Sequence, residues 1–461
     1  MSQLSQASEG LMQEGEPAEG DTVRSAKSLS IAEQADPQHV REEVERELPL
    51  VREMLLAFMV MFQGYGTLVG NPQHSLKSVI GISGFGSHEA ERFTTATNLF
   101  QWGKCATRVL QIIFLVAMEP RGLVNLAYVL MFVAMLIPPV FIFAADLVHL
   151  WFPLVACTYF LGGVAVGIFE GTFLSVTSAL GRNTKLFAIM GAPLGFAMLN
   201  IVLGTALGFG MPVEVYYYYS AACIPAGMMI FQKKAPRAAG LAAAKGCIPF
   251  CRSLRAAGSW LPSMIPLLLA KCVGNFVLEN TFPLTYNVYN EDKVPLFGGP
   301  SSTTGLVPKQ YYLSLYFFVL MAIGDTVSRR VPLYINTSSF WKTQALLVGA
   351  TFLCFGGEAL LFLITPLVTG VGTYVALFGQ GFIYGLSAKY IDTFVPQEHN
   401  YAAYMLWCFA GDIGGIVGSS FVVNRMAAAV CEGRSYEYVC HAAKKAASLR
   451  MEAARKLMVT S

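Results

Sequence analysis

Runs of about 20 predominantly apolar residues, the length at which a helix crosses a hydrocarbon core about 30 Å thick, recur along most of this chain. They are continuous runs and not amphipathic stripes, so their surroundings are lipid and not one watery face. Charged residues make up only 13% of the 461 positions, about half the share of roughly 25% usual in soluble proteins. The sequence therefore predicts an all-α polytopic membrane protein with about eleven transmembrane helices.

Spans are expected near residues 50–69, 97–117, 123–145, 153–177, 186–209 and 215–231, then 264–286, 311–334, 343–364, 371–395 and 401–424. The chain then divides into a polar, acidic and disordered tail (1–48), a six-span bundle (49–231), a basic linker (232–262), a five-span bundle (263–424) and a basic amphipathic tail (425–461). Lys233, Lys234, Arg237, Lys245, Arg252 and Arg255 place the linker in the cytoplasm by the positive-inside rule. An even number of spans precedes the linker, which puts the N-terminus on the same side. The basic tail after Asn424 conflicts with this scheme, because an odd number of spans leaves it on the opposite face. The sequon at Asn336 falls in the cytoplasm and is expected to carry no glycan.

Several function classes are excluded. A net charge of +3 with no basic stripe does not suit a nucleic-acid partner. No GxSxG, HExxH or Gly-rich phosphate loop followed by Lys is present, so neither an enzyme, a metal nor a cofactor is expected. Most of the ten cysteines fall within spans, where buried apolar thiols are the ordinary reading. Cys431 and Cys440, in the C-terminal tail, are weak candidates for a disulfide. The acidic N-terminal stretch has no h-region, and the expected partners are the bilayer, a small polar solute and protons.

Ionisable groups within spans cost about 2.5–3.5 kcal/mol each by insertion scales and each needs a reason. Glu170, with Thr172 close by, is either a proton or substrate site or a protonated carboxyl bonded to neighbouring hydroxyls. Glu279 and Asn280 repeat the pattern in the second half, and Lys271 is read as snorkelling toward an interface. Asp325 and Arg329 lie four residues apart on one helix face, where they form either a cytoplasmic gate or a helix-end anchor. Lys389, Asp392, Glu398, His399 and Asp412 complete the polar set, His399 being of the type that changes charge between pH 5 and 8. Glu358 and Asp146 are expected at the interface. Many glycines fall within spans, where they let helices approach closely.

Two stretches resemble the battenin family, lysosomal or vacuolar membrane proteins of the major facilitator superfamily. GIFEGTFLSVTSALG (167–181) is similar to the family's block built around an acidic residue, here Glu170. YGLSAKYIDTFVPQEHNYAAYMLWCFAGDIGGIVGSS (384–420) is similar to its late block and places Tyr390, Thr393, Phe394, Glu398, His399 and Asp412 on matching positions. NFVLENTF (275–282) and the step Ser328–Arg329 carry a weaker likeness, and the chain before Pro153 fits poorly. The last residues, MVTS, hold no prenylation cysteine, so no lipid anchor is expected. The resemblance implies a two-bundle transporter-like protein of an acidic organelle membrane, concerned with lumenal pH and the efflux of small polar solutes such as basic amino acids or glycerophosphodiesters. GDTVSRR (324–330) instead resembles a signature of equilibrative nucleoside transporters, with Ser328 where glycine is expected. That rival, a plasma-membrane location and a non-transporting trafficking scaffold stand as alternatives.

Overall fold

The computed structural model describes residues 37–82, 88–177, 180, 182–235, 252–288, 293–297, 305–335, 339–361, 363 and 365–422. The tail 425–461, Cys431, Cys440 and the sequon at Asn336 lie outside these residues. Two units are distinguished, Met1–Leu48 and Pro49–Ser461. Of the first, residues 37–48 are described and are helical, whereas the sequence predicts disorder up to 48. The run REEVEREL is rich in good helix formers and sets Glu42 four residues before Arg46.

Eleven helical segments among the described residues stand where spans are expected. They are α1 (Pro37–Val69), followed by the short α2 (Asn71–Val79), then α3 (His88–Ala117), α4 (Pro120–Ile137), α5 (Trp151–Thr177), the pair α6 (Arg182–Ala188) and α7 (Gly191–Gly208), and α8 (Glu214–Lys234). After the linker come α9 (Ala257–Val288), α10 (Phe318–Tyr334), α11 (Phe340–Leu361), α12 (Pro366–Phe394) and α13 (Asn400–Ile416). Eight helical stretches, including Leu50–Gln73, Val148–Thr177 and Pro366–Phe394, are long and apolar enough to cross a membrane. A short antiparallel ladder pairs Lys293–Pro295 with Leu306–Pro308.

Proline sets several boundaries. It opens α4 and α12 at the first turn, where its missing N–H leaves no bond unmade. The pair Pro138–Pro139 starts a wider π-helical turn (Pro138–Ala144) that prolongs α4, because a proline cannot supply the i→i−4 bond. Near the end of α10, the Lys389 ammonium of α12 donates to the carbonyls of Pro332 and Ile335 at 2.8 and 2.6 Å, a cation on a helix C-terminus.

In the first half α3 and α4 both pack on α5, and α4 also packs on α8. Phe58, Phe169 and Phe173 stack with centroids 4.9–5.3 Å apart, and Tyr128 and Phe231 join the cluster at 5.3 and 5.4 Å. Such pairs contribute about 0.5–1.5 kcal/mol each beyond their buried area. In the second half α12 packs on α10 and α11, and α9 packs on α13. The halves meet along two seams: α7 against α10, and α13 against α3 and α5.

Close approach explains the small residues. A Cβ at Gly163 of α5 would run into the backbone carbonyl of Phe100 on α3. At Gly379 of α12 a Cβ would lie 2.6 Å from the carbonyl oxygen of Ala350. Gly349, by contrast, faces open space. Overpacked cores lose about 1–3 kcal/mol. Gly163→Val is therefore expected to lower the thermal unfolding midpoint of the detergent-solubilised protein clearly, and Gly349→Val to leave it nearly unchanged; equal midpoints would contradict the backbone contact.

Candidate functional site

The seam between α3, α5 and α13 buries charged groups that lipid could not hold singly. On α3, Gln101, Lys104 and Arg108 follow at intervals of three and four, which puts them on one helix face. Opposite stand Glu170 of α5, Asp412 of α13, Glu279 of α9 and Tyr384 of α12. Arg108 is 6% exposed. Its Nη2 donates to Glu170 Oε2 at 2.8 Å and its Nε to Asp412 Oδ2 at 3.1 Å. The Lys104 ammonium lies 3.1 Å from Asp412 Oδ1 and donates to Gln101 Oε1 at 3.3 Å. Gln101 in turn donates its amide to Glu279 Oε1 at 2.5 Å.

The network crosses between the halves at each step but two, Arg108 to Glu170 and Lys104 to Gln101. Arg108 and Glu170 both belong to the first half, whereas Asp412, Glu279 and Tyr384 belong to the second. The Tyr384 hydroxyl donates to Glu170 Oε1 at 2.8 Å. Its ring carries two cations, Lys271 Nζ at 4.4 Å and the Arg329 guanidinium at 4.2 Å, the geometry of a cation–π contact. Trp407 stands edge-on to Tyr384 at 4.7 Å and also faces Lys271 Nζ, at 4.7 Å. On α9, Lys271, Asn275 and Glu279 repeat every four residues along one face, and Asn275 Oδ1 accepts from Gln380 at 3.3 Å.

Direct bridges join the halves beyond this network as well. At the end where α8 leads toward α9, the Lys185 ammonium lies 2.6 Å from the Asp392 carboxylate, which also accepts from Tyr404 at 3.1 Å. There, too, Arg329 makes a two-pronged pair with Asp325 at 2.7 and 2.9 Å and donates through Nη1 to the Ile189 carbonyl at 3.0 Å. At the opposite end Asn71 accepts the arrangement set by Asn200, whose Oδ1 receives the Asn71 backbone N–H at 2.9 Å, while the Asn71 amide donates to Ser314 at 3.4 Å. Gln310 donates to the Gly204 carbonyl at 3.0 Å.

Of the side chains singled out in the sequence, Glu170, Glu279 and Asp412 come together. Thr172 is buried on α5 two residues beyond Glu170, but the bonded partners of the Glu170 carboxylate are Arg108 and Tyr384. The side chain of Asn280 lies outside the described residues. Asp325, Arg329 and Asp392 gather at the linker end, and Arg329 touches the central network through Tyr384. His399 is apart: its Nδ1 lies 3.0 Å from Ser253 Oγ and its ring stacks on Trp260 at 6.2 Å. Lys271 is 4% exposed and held over two rings, not extended toward an interface. Glu358 is likewise buried among its neighbours, at 4% exposure.

Lys104, Arg108, Lys185, Tyr384 and Trp407 escaped the sequence reading. The signal for the first two was present, a Gln-Lys-Arg face at helical spacing within the expected span 97–117.

This fold and this buried seam define the class: a polytopic α-helical membrane protein with the major facilitator fold. Among solved structures it resembles the proton:xylose symporter XylE of that superfamily (TM-score 0.58, 13% identity, 88% of this chain and 96% of that one). It also resembles the superfamily transporter FucP in its outward conformation (TM-score 0.56, 11% identity, 86% and 96%) and the human organic anion transporter MFSD10 (TM-score 0.52, 14% identity, 87% and 96%). The sequence matches no protein-family model and no curated protein.

Removing one member of a buried ion pair costs about 3–5 kcal/mol, because the partner charge is left behind. Arg108→Met should therefore destabilise the protein by about that much, and adding Glu170→Gln should recover part of the loss, a coupling of about 0.5–3 kcal/mol. Strictly additive unfolding free energies in a double-mutant cycle would disprove the pairing.

Proposed function

We propose that this protein is a battenin-like transporter of small polar solutes in the membrane of an acidic organelle, lysosomal or vacuolar, and that its transport is coupled to protons. The observation that carries the reading is the position of Arg108. It grips a carboxylate of its own half, Glu170, and a carboxylate of the other half, Asp412, in the interior between them. A scaffold has no need of such groups, which cost free energy in the membrane interior.

The arrangement suits alternating access, in which two bundles rock about a central site. Opening the linker end breaks Lys185–Asp392 and Arg329–Ile189, and opening the other end breaks Asn71–Ser314 and Gln310–Gly204. Between these events the central bonds across the seam, Lys104 and Arg108 to Asp412 and Tyr384 to Glu170, hold the halves in register. Asp325 fixes the Arg329 fork and makes this pair the gate at the linker end, whose expected side is cytoplasmic.

Proton coupling needs a carboxyl that can take a proton without breaking an ion pair. Glu170 and Asp412 are clamped by Arg108 and Lys104. Glu279, which accepts from the Gln101 amide and has Lys104 and Asp412 nearby, fits that role better. The battenin-like stretches contribute Glu170 and Asp412, and the weaker one contributes Glu279.

The test is uptake into proteoliposomes, with and without an imposed pH gradient, of labelled arginine, a glycerophosphodiester and uridine. We expect pH-dependent flux of a non-nucleoside solute, lost in Glu170→Gln, which preserves shape and removes charge. Glu279→Gln is expected to retain flux and lose its pH dependence. Uridine flux indifferent to pH would transfer the chain to the nucleoside-transporter reading built on Asp325 and Arg329. Absence of any flux, with capture of cytosolic partners, would favour the scaffold.

A further inference from the structure

The central network leaves some of its buried hydrogen-bond donors without an acceptor. Each carboxylate is already engaged: Glu170 accepts from Arg108 and Tyr384, Asp412 from Arg108 and Lys104, and Glu279 from Gln101. Two buried donors and one ammonium around Tyr384 are nonetheless left without an acceptor. Arg108 Nη1 has no partner, nor has Trp407 Nε1. Lys271 Nζ contacts the rings of Tyr384 and Trp407 and forms no salt bridge among the described residues.

These atoms belong to one shell. Tyr384 carries Lys271 on its ring, Trp407 at its edge and, through Glu170, Arg108 at its hydroxyl. Glycine lets these side chains pack closely against the neighbouring helices. A Cβ at Gly171 would come within 3.2 Å of Arg108 Nη1, and one at Gly411 within 2.8 Å of Lys271 Cε. Unpaired buried donors cost about 1–3 kcal/mol apiece, more when charged, so a resting site with two of them beside an ammonium held by ring faces is poised for a ligand that supplies acceptors. A cation over aromatic faces is held by only about 0.5–2 kcal/mol. An oxyanion therefore competes easily for Lys271, which still has three N–H donors to give.

We propose that Lys271 docks the negatively charged head of the transported solute, a small oxyanion of the carboxylate or phosphate-ester type, with Arg108 Nη1 and Trp407 Nε1 completing its hydrogen bonds. The inference rests on the transport reading and specifies its solute class. Arg329, the other cation on Tyr384, is not the dock, because its fork is filled by Asp325. Neutral and purely cationic solutes leave the Lys271 charge without a counter-charge.

Calorimetric titration of the full-length protein in nanodiscs with lactate, glycerol 3-phosphate and glycerol tests the assignment, with proteoliposome uptake of the same three compounds measured in parallel. One or both anions are expected to bind and glycerol not to. Lys271→Met should weaken anion binding at least tenfold, Lys271→Arg should restore it to within about threefold, and Trp407→Phe should weaken it severalfold while keeping the ring. Preference for lactate or for glycerol 3-phosphate assigns the head to the carboxylate or the phosphate type. Anion binding unaffected by Lys271→Met overturns the proposal, as does binding of glycerol alone. Anion binding without flux would keep the dock and refute the transport reading; flux of a neutral or cationic solute without anion binding would do the reverse.

Discussion

Arg108 is the group on which the interior of this protein depends. A guanidinium presents five N–H donors in a rigid fork, and here two of its nitrogens hold carboxylates that come from opposite halves of the chain. Its charge lets Glu170 and Asp412 exist side by side within a membrane interior, where either alone would be costly. Lys104 and Tyr384 then share out the remaining acceptor positions. The other helices are arranged so that these groups meet: the phenylalanine cluster orders α1, α4, α5 and α8 around Glu170, and the glycines of α5 bring α3 within backbone contact.

The transmembrane architecture was legible in the sequence because apolar run length is a direct consequence of bilayer thickness. Eleven expected spans correspond to eleven helical segments, with the largest displacement at α1, whose polar opening turns carry helix formers and no apolar signal. Individual carboxyls were legible too, since a Glu at position 170 within an apolar run stands out by cost alone. Their partners were not. Arg108 finds Asp412 across 304 positions, and no local pattern encodes which cation a buried carboxylate will meet. Lys271 was misplaced for a related reason. Long basic side chains near span ends ordinarily snorkel or belong to loops, and only tertiary packing turns them inward onto tyrosine and tryptophan faces. Glu358 was read as interfacial from its position near a span end, whereas α11 buries it against its neighbours.

The bridges between the halves separate into two kinds. Those at either end, such as Lys185 to Asp392 or Gln310 to the Gly204 carbonyl, share few members with the central set. Those in the middle share members, so that Tyr384, Glu170, Arg108, Asp412 and Lys104 form one connected set. Connected buried polar groups reinforce one another and tolerate partial disruption poorly. A protein built this way changes shape more readily at its rims than at its centre, and Arg329, bonded to Ile189 and seated on Tyr384, is the residue through which rim and centre communicate.

The backbone contact at Gly163 has a further consequence. With α3 and α5 pressed together, Lys104, Arg108 and Glu170 ride on a single stiff slab, and the Arg108–Glu170 pair is carried about as a preformed dipole. The work of stripping water from those two charges is then done once, when the chain folds into the bilayer. The bonds that join this slab to the second half, from Arg108 and Lys104 to Asp412, from Tyr384 to Glu170 and from Gln101 to Glu279, form a separate set.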